Sequence, residues 1–176
     1  MLESLISSKT RVKLLLRFFL NPERVGYLRA LAGEFGESTN SVRLELNRLE
    51  GAGILTSASE GNKKLFKTNA EHPMFGEVRN MVLKHVGIDH IIENVVARLG
   101  DVQSVYVTGD LARGLDASTI ELILVGSVDE SYLKTLCYKA EKLVKRTISY
   151  VLIDEVSEVP GEALLVWASS NTDAEI

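Results

Sequence analysis

Apolar positions in the first seventy residues recur at helical spacing in three short blocks. Over residues 9–20 they fall at Val12, Leu15, Leu16 and Phe19, one face of a helix. Ser7-Ser8 offers that helix an N-cap, and Asn21-Pro22 ends it. A second short helix fits residues 27–35, with Leu28, Leu31 and Phe35 on one side and Gly36 as its stop. Ser38 or Thr39 caps a third helix that runs to about Glu50, where Gly51 and Gly53 close it. Two short strands follow, at 54–58 and 63–68, around a Gly61-Asn62 turn, which predicts a hairpin.

The pattern then changes. His72-Pro73 breaks the chain, and residues 74–86 and 88–99 each predict a helix. In the second of these, Ile88, Ile91, Ile92, Val95, Val96 and Leu99 keep one face. Residues 102–108 read as a strand ended by Gly109, followed by the loop DLARGLDAS and a strongly apolar strand at 119–125. A helix over 129–146 places Leu133, Leu136, Cys137, Ala140, Leu143 and Val144 inward. Strands at 147–153 and 163–167 complete the series, and 169–176 reads as a frayed tail. The expected class is α+β, in four parts: a helical and hairpin domain at 1–70, connecting or dimerisation helices at 71–99, a small mixed-sheet α/β domain at 100–168, and the tail. The two connecting helices could equally pair subunits or pack on the domain that follows.

Charge sharpens this division. The chain has 176 residues and a net charge of −4, which by itself argues against a nucleic-acid partner. Residues 1–70, however, hold 11 Lys and Arg against 7 Asp and Glu, whereas 71–176 hold 9 against 17. Such an asymmetry points to two units with different partners. The single cysteine, Cys137, excludes a disulfide within the chain, and its place on an apolar stripe makes it a small core residue rather than a nucleophile. No apolar run reaches the ~20 residues that span a bilayer, and the start around Glu3 lacks signal-peptide character. The expectation is a cytoplasmic protein with no membrane contact.

The third helix carries candidate chemistry. Val42, Leu46 and Leu49 form its inward stripe, while Asn40, Arg43, Asn47 and Arg48 point away, with Ser41 beside them. Arg can bond guanine O6 and N7 together, and Asn adenine N6 and N7. Ser38, Thr39 and Ser41 at the helix start suit phosphate oxygens, as do Asn62, Lys63 and Lys64 at the hairpin tip. Leu44 also faces outward and could meet a thymine methyl or bury elsewhere in the chain. The run STNSVRLELNRLEGAGIL followed by EGNKKLFKTN resembles the winged helix-turn-helix of ArsR/MarR-type transcription regulators, over about residues 7–70. That resemblance implies binding to double-stranded DNA as a homodimer, with the third helix in the major groove.

The stretch VYVTGDLARGLDASTIELILVG resembles the minimal nucleotidyltransferases of the polymerase-beta-like superfamily, over roughly residues 88–168. The family's Gly-Ser loop holds nucleotide phosphates, and an Asp-x-Asp pair on the next strand, with a third carboxylate, binds two magnesium ions. Gly109, Ala112, Arg113 and Gly114 match that pattern. Asp110 replaces the serine, and the aspartate positions fall on Thr119 and Glu121. Asp110 would oppose phosphate by ~4 kcal/mol per charge pair at ~4 Å and an effective dielectric of ~20. Gly109, Asp110, Arg113 and Gly114 thus read as an altered nucleotide loop, and Glu121 as lying at the strand's edge or paired with Arg113.

The sequence therefore leads to a DNA-binding regulator, without catalytic residues, resident metal or cofactor. Its second domain would serve dimerisation, ligand sensing or protein binding, with a small molecule or a protein as partner. Two alternatives stay open: an active nucleotidyltransferase that docks through its winged helix, and an adaptor that binds proteins through both domains. Asp110, Asp116 and Glu121 could form a different metal site, although loop acids are usually solvated.

Overall fold

A computed structural model describes residues 2–169. The chain divides into two compact units, residues 1–85 and 86–176. The two helices expected as a connector are shared between them: one closes the first unit and the other opens the second.

The first unit begins with a single helical turn, α1 (Leu2–Leu5), that periodicity does not announce. The fully buried Leu2 holds it down, and the Leu2 N–H donates to His85 Nδ1 at 3.3 Å. Helix α2 (Lys9–Phe19) starts where the Ser8 hydroxyl accepts the Arg11 N–H. It is buried nearly all round its second half, including Arg17, whose guanidinium is held by Glu34 at 3.2 Å. A two-residue strand β1 (Gly26–Tyr27) precedes α3 (Leu28–Phe35) and α4 (Thr39–Gly51). Ser38 caps α4 by accepting the Ser41 N–H at 3.1 Å. The hairpin β2 (Leu55–Glu60) and β3 (Lys63–Thr68) closes through a two-residue turn, and the antiparallel sheet has the order β1-β3-β2. The core lies between these layers: Val42, Leu46 and Leu49 of α4 meet the apolar faces of α2, α3 and β2, with Leu31 and Leu55 fully enclosed. Helix α5 (Phe75–Val86) adds a tilted ring contact between Phe75 and Phe19 at 5.8 Å.

One carboxylate shares this core. Glu45 lies on the inward side of α4 with 7% of its side chain exposed. It accepts Arg11 Nε at 2.7 Å and Arg48 Nη1 at 3.0 Å. Burial pushes its pKa upward, but the bond from Arg11 and those from Ser8 and Arg48 outweigh that, and the net shift is downward.

The second unit opens with α6 (Ile88–Asn94), which is shorter than its apolar spacing predicts. The backbone leaves the α conformation at Val95, and a 3-10 turn covers Val96–Arg98. The Asn94 side chain donates to the His90 carbonyl at 3.2 Å, competing for an acceptor of the helical ladder. Val95 and Val96 remain buried, so the apolar period survives where the α-helix does not. Strand β4 (Val102–Thr108) leads into a one-turn helix α7 (Gly109–Ala112), where a loop was expected. Then follow β5 (Thr119–Gly126), α8 (Glu130–Val144), β6 (Thr147–Ile153) and β7 (Leu164–Ala168). The sheet has the order β6-β5-β4-β7, with β5 and β6 parallel and the other pairs antiparallel, so the α+β class with a mixed sheet holds. Parallel neighbours need a long crossover, and α8 provides it.

Leu133, Leu136, Cys137 and Ala140 of α8 are buried, but Leu143 is 67% exposed. It stands at the edge of the helical stripe, beside Leu136 and in the last turn of α8, and is exposed there, contrary to its expected inward place. Ser169 is tied to the sheet by its N–H to the Gln103 carbonyl, and the rest of the expected tail, 170–176, lies outside the described residues. No described helix is long and apolar enough to cross a membrane.

Two consequences are measurable. Because the Glu45 pKa falls on folding from its ordinary 4.5, the stability it contributes is present above that value and is lost as pH drops through the folded pKa. Glu45→Gln should lower the first unit's stability by about 2 kcal/mol near pH 7, and the difference from wild type should shrink in denaturant melts as pH falls below 4.5. Gly126 has φ +132°, and a Cβ there would lie on the Asp101 carbonyl oxygen and 3.2 Å from Val102 Cα. Gly126→Ala should therefore destabilise the second unit by about 3 kcal/mol, whereas Gly161→Ala, with open space around it, should leave the melt within about 0.5 kcal/mol.

Candidate functional site

In the first unit, α4 and the hairpin enclose a cleft of about 460 Å³. Helix α4 contributes Arg43, Leu46 and Asn47, and the hairpin contributes Asn62, Lys63, Lys64 and Phe66. Tyr27, Leu28 and Arg29, at the β1–α3 junction, complete the lining. Four cations and two carboxamides thus converge there, with no carboxylate among the lining residues. The fold explains the meeting: Leu46 anchors α4 in the core while Arg43 and Asn47 stay outside, and the pairing of β1 with β3 brings Tyr27 beside the hairpin. Lys63 Nζ lies 4.6 Å from the centroid of the Tyr27 ring, and Lys64 Nζ 5.1 Å from that of Phe66.

The residues expected at this face are not all equivalent. Arg43, Asn47, Asn62, Lys63 and Lys64 share the cleft. Thr39 and Asn40 are exposed at the start of α4 but do not line it. Ser38 and Ser41 have hydroxyls 2.9 Å apart, so each already has a partner. Arg48 lies outside the lining and is paired with Glu45. Leu44 is 51% exposed and so is not buried against the rest of the chain. Tyr27 and Arg29 were missed, because a two-residue strand leaves no periodic signal and its pairing with β3 is distant in sequence.

A second cleft, of about 300 Å³, lies over the sheet of the second unit. Gly109, Arg113, Glu121, Ser149, Tyr150 and Glu162 are among its lining residues. Asp110 and Gly114 are not, so the expected four-residue loop divides. Gly109 has φ +64°, and a Cβ there would sit 2.7 Å from Glu121 Cδ. The Glu121 carboxylate is therefore laid against the Gly109 backbone. Arg113 lies 3.8 Å from Asp110 and 3.8 Å from Glu162. The expected Glu121–Arg113 pair is not made: register places Glu121 opposite Thr108 and Ser149, while Arg113 turns towards the other two acids.

The paired magnesium ions of a nucleotidyltransferase do not fit these residues. Neither strand neighbour of Glu121 is a carboxylate, and Asp116 is bound by Arg146 at 2.7 Å. Among the described residues, no group of three His, Cys, Asp or Glu side chains is placed to hold a metal ion, so Asp110, Asp116 and Glu121 do not form one.

No protein-family model and no curated protein matches the chain. Among solved structures, it is similar to the crystal structure of a putative nucleotidyltransferase from Sulfolobus solfataricus. Identity is 25% over 51% of this chain and 82% of that one, at a TM-score of 0.36. At that score the likeness does not establish the fold of this chain. It does run against the expectation that the chain is not an enzyme: the similar protein bears an enzyme's name, and the non-enzymatic reading is withdrawn.

Cys137 stands apart from both clefts. Burial, with the nearby Glu141 carboxylate, pushes its thiol up to about 11. Native protein should therefore resist Ellman's reagent near pH 8, where only about one thiol in a thousand is ionised, and react fully once unfolded. Fast native labelling would show that the stripe around it opens.

Proposed function

We propose that the first unit is a winged helix-turn-helix that binds double-stranded DNA, and that the protein acts as a transcription regulator of the ArsR/MarR kind. The supporting observation is the cleft between α4 and the hairpin, where Arg29, Arg43, Lys63 and Lys64 gather with Asn47 and Asn62 and no acid lines the wall. A polyanion gains from such a surface, whose carboxylate neighbour Glu50 lies behind the lining and is bonded to Lys64. In this reading α4 enters the major groove, Arg43 and Asn47 contact base edges, and the hairpin follows the neighbouring backbone. Thr39 and Asn40, exposed at the start of α4, remain within reach of phosphate. Charge supports the same division of labour: residues 1–85 hold 13 Lys and Arg against 9 Asp and Glu, while 86–176 hold 7 against 15. The protein would bind as a homodimer, with two α4 helices one groove repeat apart. The second unit, with its own cleft over the sheet, would receive a small molecule or a protein.

Fluorescence anisotropy with duplex DNA from the promoter of the protein's own operon tests this. The wild type should bind, and Arg43→Ala should weaken binding by about 2 kcal/mol, roughly thirtyfold. Arg98→Ala, on the second unit, should leave binding unchanged. Absence of binding at low salt, or equal effects of the two substitutions, would refute the assignment.

A further inference from the structure

Lys63 and Lys64, the two lysines at the hairpin tip, are neighbours in sequence but not in circumstance. Lys64 Nζ donates to Glu50 Oε2 at 2.7 Å. Glu50 lies on the last turn of α4, and its other oxygen, Oε1, accepts the Ser57 hydroxyl of β2 at 2.5 Å. Both carboxylate oxygens are thus engaged, and helix, β2 and β3 are joined at one point. Among the described residues, Lys63 has no such partner. Its ammonium lies over the Tyr27 ring, and Glu60, opposite it across the turn, makes no ion pair with it. The bonds from Lys64 and Ser57 hold the Glu50 carboxyl below its ordinary pKa, so it stays charged at neutral pH.

Resting on the DNA-binding reading, we propose that Glu50 is a positioning residue and internal counter-ion that removes Lys64 from the count of charges offered to DNA, so that Lys63 is the hairpin lysine that neutralises phosphate. The physical argument is one of net charge. The salt dependence of DNA binding counts released counter-ions, about 0.9 per phosphate neutralised. A lysine balanced by its own carboxylate adds no net charge to the surface. If Lys64 left Glu50 for a phosphate, it would leave an unpaired carboxylate beside a polyanion. The aromatic seat of Lys63 is neutral, and it orients the ammonium without cancelling it.

The test is the slope of log K against log salt concentration, measured by anisotropy on one duplex, with thermal melts to confirm folding. Lys63→Gln should make the slope shallower by about 0.9. Lys64→Gln strips Glu50 of its counter-ion and should flatten the slope as well, through the carboxylate it leaves unpaired. Glu50→Gln keeps an oxygen for the Ser57 hydroxyl but removes the charge, so it should steepen the slope by about 0.9, about a threefold larger loss over a fourfold rise in salt. The double variant Glu50→Gln/Lys64→Gln should return to wild type. A purely structural Glu50 would change affinity without this pattern of slopes. If the double variant flattens the slope as much as Lys63→Gln, or Glu50→Gln leaves it unchanged, the counter-ion role is overturned while DNA binding stands. If the wild type binds no duplex, the DNA-binding reading falls and this inference with it.

Discussion

The first unit turns on one ionised group held inside it. Glu45 sits on the inward side of α4, where an aliphatic residue would be ordinary, and joins that helix to α2 through Arg11. Taking a carboxylate out of water costs several kcal/mol, and only good hydrogen bonds offset it. Those bonds are directional in a way that Val42, Leu46 and Leu49 are not. Apolar contacts alone let α4 slide or rotate a little over α2. A bond from Arg11 Nε at 2.7 Å permits far less of either. What Glu45 adds to packing is therefore a defined azimuth, and the azimuth decides which side chains of α4 turn towards the hairpin. Arg43 and Asn47 reach the cleft, while Arg48 is turned back to Glu45.

The second unit is governed by a constraint of topology. Strand β5 lies between parallel β6 and antiparallel β4, and its residues 120, 122, 123, 124 and 125 are all buried. Alternation then leaves Glu121 as the polar residue that breaks an otherwise apolar run. Its carboxylate must leave the core on the side of Gly109, where a side chain on the neighbouring backbone would collide with it. Gly109 and Glu121 are thus a matched pair: the left-handed turn that starts α7 makes the room in which the carboxylate lies.

Much of this was legible in the chain. Helices α2, α3 and α4 begin and end within about a residue of where spacing, caps and glycines put them, because each signal acts over a single turn. The strands β4 and β6 are equally local in origin. What could not be read depends on partners far apart in sequence. Strand β1 exists only through β3. Glu45 stands three residues after Val42 and four before Leu49, so spacing puts it inward, but the partner that lets a carboxylate stay there is Arg11, 34 residues earlier. The end of α6 fails for a different reason: Val95 and Val96 stay buried through the single 3-10 turn, so apolar positions alone do not mark where the α conformation stops. For the cleft, the α4 and hairpin residues follow from amphipathicity, whereas Tyr27 and Arg29 needed the register of the small sheet.

Net charge, read from composition, misdescribes a surface because it counts ions that have already been spent inside the fold. In the first unit Glu34 is matched by Arg17, Glu37 by Lys13, Glu45 by Arg11 and Arg48, and Glu50 by Lys64. These acids serve the joints between helices and hairpin. Among the described residues, Arg29, Arg43 and Lys63 meet no carboxylate at ion-pair distance, and all three line one cleft. The positive field there comes from where the acids are consumed, more than from an excess of bases. A substitution that frees or fills one of those joints would change the field without touching the cleft. For that reason the ion pairs holding this small unit together also decide what charge it presents to a partner.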